Sequence, residues 1–143
     1  MGRIMAIDYG KKRVGVAVTD PLRIIASPLE TVPAAAIEKF LSEYLSKEKV
    51  DELVVGYPRK LNNEPSESVK YIDPFIARLR KLFPGIPVNL ADERFTTSIA
   101  KRALIEGGLK RSDRMDKSIA DKVSASLILQ SYIEKMNFMN KKK

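Results

Sequence analysis

At 143 residues, 44% of them apolar, the chain has the size of one ordinary domain and can bury a core without disulfides or a structural metal. It contains no histidine and no cysteine, which removes the usual zinc ligands, the usual general base and the most reactive nucleophile together. Lys and Arg outnumber Asp and Glu 26 to 18, a net charge of +8, so a polyanion is a natural partner; no apolar run approaches a membrane span and no secretory leader opens the chain, which points to the cytoplasm.

Ile4 to Ile7 is apolar at every position, as in a strand covered on both faces, and the run stops at Asp8. Val14 to Val18 repeats the pattern and Arg23 to Ala26 adds a third short run. Turns at Gly10-Lys11-Lys12 and Asp20-Pro21 are short enough to fold the three into an antiparallel meander. Helical spacing begins with Ile37, Leu41, Tyr44 and Leu45, predicting a helix from about Pro33 to Lys47, and "ELVVGY" (Glu52 to Tyr57) returns to a buried strand. A second helical stripe, Val69, Ile72, Phe75, Ile76 and Leu79, leads through Pro84-Gly85 into the strand "IPVNLA", with Pro74 expected to kink or restart the helix.

After "DERFTTS" a helix is expected from about Thr97 to Glu106, stopped by Gly107-Gly108, then the basic segment "LKRSDRMDKS" and a last helix from about Ser118 to Met136. The chain divides into one domain, residues 1–138, and a basic flexible tail, 139–143. The order β-β-β-α-β-α-β-α-α predicts an α/β fold: a mixed five-stranded sheet, made of the meander plus two parallel strands joined by right-handed crossovers and flanked by helices. A ribonuclease H-like architecture has this order, as other α/β folds can.

Asp8-Tyr9-Gly10 reads equally well as the entry to a hairpin, so Asp8 needs company before it counts as a site residue. The last predicted strand also ends in acid, Asp92-Glu93, and ligands of such sheets gather outside the carboxyl ends of the parallel strands. Acids leading into a helix N-terminus, with Thr96 or Thr97 as cap, would explain Asp92-Glu93 as well. In the last helix Asp121 shares a stripe with Ala125, Ile128 and Tyr132, whereas Asp113 and Asp116 precede it in the basic segment. An ionised Asp on an apolar stripe is costly unless paired or metal-bound. Asp8, Glu93 and Asp121 thus form a three-acid constellation that makes sense around hard divalent cations, Mg²⁺ or Mn²⁺, with two ions serving phosphodiester hydrolysis and Asp8 as central ligand.

The segments "IDYGKKRVGVAVTD", "VVGYP", "DERFTTSIA" and "ADKVSASLILQSYIE" resemble, in order and spacing, those of the YqgF (RuvX) family of bacterial proteins, and the resemblance spans nearly the whole chain. It implies a ribonuclease H-like fold related to Holliday-junction resolvases, and a nuclease that resolves junctions or matures the precursor of small-subunit ribosomal RNA. The family's three acids fall on Asp8, Glu93 and Asp121. "GYP" replaces the commoner Gly-Leu-Pro, and Ser124 stands where a second Ala is frequent; neither change touches an acid.

Structured RNA or branched DNA, and ribosomal precursor particles, are the expected partners of a monomer or homodimer. Phosphate contacts are expected from Lys11, Lys12 and Arg13 in the first hairpin, from Arg59, and from the dense run Lys110, Arg111, Arg114 and Lys117, for which a solvated loop is the alternative. Arg94 either binds phosphate or pairs with the acids. Thr96 and Thr97 either donate to a phosphate or cap a helix, and Tyr9, beside Asp8, is a single aromatic that could stack on a base. A P-loop is excluded, because the G-x-x-x-x-G of "GKKRVG" is followed by Val16-Ala17. Actin-like ATPases need a second domain. The remaining rival is a noncatalytic RNA- or ribosome-binding domain whose acids are structural.

Overall fold

The structure, a computed structural model, describes residues 2–57, 69–92 and 117–141. Five strands, β1 (Arg3–Tyr9), β2 (Arg13–Thr19), β3 (Ala26–Pro33), β4 (Val50–Tyr57) and β5 (Val88–Asp92), form one sheet in the order β3-β2-β1-β4-β5. The pairs β1/β2 and β2/β3 are antiparallel, and β1/β4 and β4/β5 are parallel. Among the described residues three α-helices accompany it: α1 (Ile37–Lys47), α2 (Val69–Leu82) and α3 (Lys117–Lys141). This is the mixed five-stranded, ribonuclease H-like sheet that the element order predicts.

Alternation along the strands sorts the core into two layers. Met5, Ile7, Val14, Val16, Val18, Leu53 and Val55 face α1 and α2, where they meet Ile37, Leu41, Ile72, Phe75, Ile76 and Leu79. On the other face Ile4, Ala6, Ala17 and Val54 meet Ala125, Ile128, Leu129 and Ile133 of α3. The small Ala6, Ala17 and Ala125 let this helix lie close to the sheet, chiefly over β2 with β3 and β1 beside it. The helical stripes expected in α1, α2 and α3 are therefore the faces that pack. Among the described residues no helix is long and apolar enough to cross a membrane.

Several boundaries differ from expectation for local reasons. β1 does not stop at Asp8: the ladder continues through Asp8↔Gly15 and Tyr9↔Val14, and the reversal begins at Gly10. The Gly10 N–H donates to the Arg13 carbonyl at 2.9 Å, and a Cβ there would lie 2.5 Å from that oxygen, so only glycine fits.

The expected third strand, Arg23 to Ala26, is instead mostly loop. The Asp20 carboxylate accepts from the N–H groups of Leu22, Ile24 and Ile25 at 3.2, 2.9 and 2.8 Å, and Arg23 adopts φ 59. The strand is the following segment, "ASPLETVP", an edge strand in which Val32 alone is fully buried, so its sequence lacks an apolar run. Pro33 ends that strand, and a single 3-10 turn, Ala34–Ala36, precedes α1. Pro74 sits on the exposed side of α2, where the Lys70 carbonyl it leaves without a donor can turn to water, and the helix runs through it unbroken. α3 continues to Lys141, three residues into the expected tail. The helix expected at 97–106 lies outside the described residues.

Candidate active site

The three parallel strands β1, β4 and β5 end at one rim. Ile7 pairs with Val55, Gly56 with Ala91 and Tyr57 with Asp92, so Asp8 stands level with Gly56 and one residue short of the strand end marked by Tyr57 and Asp92. Asp8 is half-buried and, by alternation with Ile4 and Ala6, belongs to the face that α3 covers. Glu93 is the next residue after Asp92, the last of β5.

The neighbours of Asp8 on its own face carry almost no side chain. Its partner on β2 is Gly15, the level residue on β4 is Gly56, and the partner of Gly56 on β5 is Ala91. A carboxylate at a strand end usually competes for space with cross-strand side chains. On both sides of Asp8 the cross-strand neighbour is therefore a glycine, and both glycines are buried. Sequence reasoning did not single out Gly15 or Gly56, although the signal was present: each is the only residue without a side chain in an otherwise apolar strand, "VGVAV" and "ELVVGY", and a strand-interior glycine marks a close approach.

At the same rim, the hairpin between β1 and β2 carries Lys11 and Lys12, both exposed, and the half-buried Arg13. The Lys12 carbonyl accepts from the Ala34 N–H at 2.9 Å, which ties the basic hairpin to the turn before α1. Tyr9 alternates to the opposite face, stacks on Phe75 with ring centroids 4.1 Å apart and lies near Tyr71, so its ring packs against the core instead of standing beside Asp8 for a base. The Tyr57 hydroxyl donates to Asp73 at 3.0 Å.

α3 is anchored away from this rim. Gln130 Oε1 accepts from the Ala26 N–H at 3.3 Å, and Tyr132 reaches the Asn89 side chain near the start of β5. Burial, reinforced by a hydrogen bond to Glu52, pushes the Tyr132 hydroxyl up to about 12, so it remains a proton donor at neutral pH. These contacts set Gln130 over β3 at the level of Ile4 and Tyr132 beside β5 at the level of Ala6. Asp121 lies in the second turn of α3, four residues before the fully buried Ala125; the side chains of Asp121 and Lys117 lie outside the described residues.

Glu93, Arg59, Arg94, Thr96, Thr97, Lys110, Arg111 and Arg114 also lie outside the described residues. Among the described residues no group of three acids could hold a metal ion. The structure therefore brings together Asp8, its glycine neighbours and the Lys11–Arg13 hairpin.

A family model described as "RuvX: Holliday junction resolvase" matches residues 2–135. A curated relative from Parabacteroides distasonis, named "Putative pre-16S rRNA nuclease", is 50% identical over 138 residues, covering 96% of this chain and 99% of that protein. One of the same name from Porphyromonas gingivalis is 52% identical over 134 residues, covering 94% and 97%. Among solved structures, Thermus RuvC, titled "T. thermophilus RuvC in complex with Holliday junction substrate", superimposes with a TM-score of 0.57 at 17% identity, over 95% of this chain and 96% of that one. At that identity the likeness concerns the fold.

Proposed function

The chain belongs to the RuvX family, and from that membership we propose that it is a metal-dependent nuclease which hydrolyses phosphodiester bonds of structured RNA, with precursor 16S ribosomal RNA as substrate and Asp8, Glu93 and Asp121 as the metal-binding acids. The observation that carries the reading is Asp8 on the bare Gly15–Gly56 row, at the rim where the parallel strands end and beside a basic hairpin. The arithmetic of α3 supports the third acid. From Gln130 back to Asp121 is nine helical residues, about 14 Å. From Ile4, level with Ala26 across the sheet, to Asp8 is four strand residues, about 13 Å. A helix laid along the strands would bring position 121 to the level of Asp8.

The donor set fits a hard cation. Carboxylate oxygens are the ligands Mg²⁺ and Mn²⁺ prefer, the chain has no softer donor in His or Cys, and the residues level with Asp8 on β2 and β4 carry no side chain to compete for its carboxylate. Divalent ions there would supply a water activated for in-line attack and charge to offset the leaving oxygen. The protein's part is to hold and to orient. Asp8, on the central strand of the sheet, gives a rigid anchor, and the glycines let a sugar-phosphate backbone approach the sheet without meeting a Cβ. Lys11 and Lys12 add sequence-independent attraction for the flanking phosphates.

The test is cleavage of labelled precursor 16S RNA and of a labelled four-way DNA junction, side by side, in Mg²⁺, Mn²⁺ or excess EDTA, with Asp8→Asn as control. Metal-dependent cleavage of the RNA that Asp8→Asn abolishes is the expected result. Cleavage confined to the junction would reassign the substrate, and undiminished cleavage in EDTA would overturn the metal chemistry.

A further inference from the structure

At the end of the sheet opposite Asp8, the loop between β2 and β3 presents an apolar tip. Leu22, Ile24 and Ile25 are 68, 61 and 62% exposed, and they make up three of the five large apolar side chains exposed among the described residues. Grouped exposed apolar side chains mark contact surfaces more reliably than scattered ones.

The tip is also built to hold its shape. Asp20 closes the loop with three accepted N–H bonds, its own N–H donates to the Ile25 carbonyl at 3.3 Å, and the Arg23 N–H donates to the Asp20 carbonyl at 2.9 Å. Arg23 takes the left-handed φ of 59, costly for a residue with a Cβ, and its guanidinium is held by the Gly2 carbonyl at 3.0 Å and by Asp51 at 2.6 Å. Rigid display of apolar groups lowers the ordering cost of association.

The charge pattern narrows the occupant. From Pro21 to Pro28 the only charged side chain is Arg23, and it pairs with Asp51, so the tip itself presents no free cation to phosphate. A second copy is also a poor fit. Three side chains fall well short of the roughly 800 Å² per partner of a stable interface. Nor does β3 extend the contact by strand pairing: Pro28 and Pro33 lack an N–H, and the Ala26 N–H is taken by Gln130. A small, preorganised, uncharged knob suits insertion into an apolar pocket of another protein.

We propose that the Leu22–Ile25 tip docks in an apolar pocket of a protein that rides on the RNA substrate, so that the enzyme engages a ribonucleoprotein particle with one end of its sheet and the RNA with the other. This rests on the precursor-RNA reading above.

The experiment uses the full chain and a triple variant, Leu22→Ser with Ile24→Ser and Ile25→Ser, which leaves the net charge unchanged. Co-sedimentation with purified small-subunit precursor particles measures docking; cleavage of the same RNA, in particles and stripped of protein, measures activity. The expected result is a loss of particle affinity of about tenfold or more, slower cleavage in particles, and unchanged cleavage of stripped RNA. Unchanged particle affinity overturns the proposal, as does an equal loss on stripped RNA, which would make the tip an RNA contact. A dimer that the variant dissociates, with particle binding intact, would assign the tip to a second copy and overturn it too. Should the triple variant fail to fold, Leu22→Ser alone replaces it, with a smaller loss of particle affinity expected and the same overturning results. If wild type cuts neither RNA yet sediments with particles through the tip, the docking stands and the proposed reaction falls.

Discussion

The two ends of the sheet use acids in opposite ways. At the end remote from Asp8, Asp20 and Asp51 each serve the backbone. Asp20 accepts three N–H bonds within its own loop, while Asp51 accepts from the Gly2 N–H at 2.8 Å and from Arg23. Those N–H donors, Ile25 foremost for Asp20 and Gly2 for Asp51, hold both carboxyls below the usual carboxylate range. Nearby, Thr19 is 1% exposed and its hydroxyl oxygen accepts from the Ile4 N–H at 2.9 Å. At the other end Asp8 stands on the central strand with glycine on either side and exposed lysines in the adjoining turn. The difference lies in the surroundings: Asp20 is wrapped by the N–H groups of its own loop, whereas the cross-strand neighbours of Asp8 are glycines.

Four substitutions would break or sharpen that contrast. Asp8→Asn should bring the largest effect, a fall in cleavage of about 10²–10³-fold or more, with the melting temperature in EDTA unchanged; an equal loss of stability would move Asp8 into the structural class. Thr19→Val should do the reverse, because it leaves the buried Ile4 N–H without its acceptor. A loss of about 1–3 kcal/mol in denaturant unfolding, with cleavage unaltered, is expected.

Gly56→Ala tests the glycine row directly. A methyl group at this buried position, level with Asp8, should slow cleavage by more than any change in stability accounts for, as read from cleavage and melting temperature side by side. A Gly56→Ala enzyme with full activity would show that the bare row is incidental.

The smallest effect concerns Asp20. Its folded pKa lies below the ordinary aspartate value of 3.8, so its stabilising effect is complete above that value and disappears as pH falls further through the folded pKa. Acid titration below pH 3.8 should therefore loosen the Leu22–Ile25 loop, as read by amide exchange at Ile24 and Ile25. Asp20→Asn should remove that dependence.

Much of this contrast was legible in the chain, for physical reasons that differ by segment. Buried strands announce themselves by unbroken apolar runs, so β1, β2 and β4 were expected where they occur, and the stripes of α1, α2 and α3 follow from helical periodicity. β3 was misplaced because an edge strand has no apolar run to show, while the apolar "RII" beside it is held out of the sheet by Asp20. The strand runs one residue past the end expected at Asp8, since an acid resembles a turn residue unless the cross-strand glycine that accommodates it is known. Asp8 was found from its type and its place at a strand end. Gly15 and Gly56 were not, because their meaning depends on register, which links residues far apart in sequence.

The central claim is that Asp8, Glu93 and Asp121 share a cation. It is tested most directly by thermal melts of wild type, Asp8→Asn and Asp121→Asn, each in EDTA and in a series of Mg²⁺ or Mn²⁺ concentrations. Crowded anions destabilise the metal-free state and bound metal stabilises the folded one, by about 2.7 kcal/mol at a hundredfold excess over Kd. The account predicts that both variants match or exceed wild type in EDTA and lose most of the stabilisation on adding metal. A loss of about 3–5 kcal/mol for Asp121→Asn in EDTA, with the response to metal intact, would instead make Asp121 half of a buried ion pair and contradict the shared site.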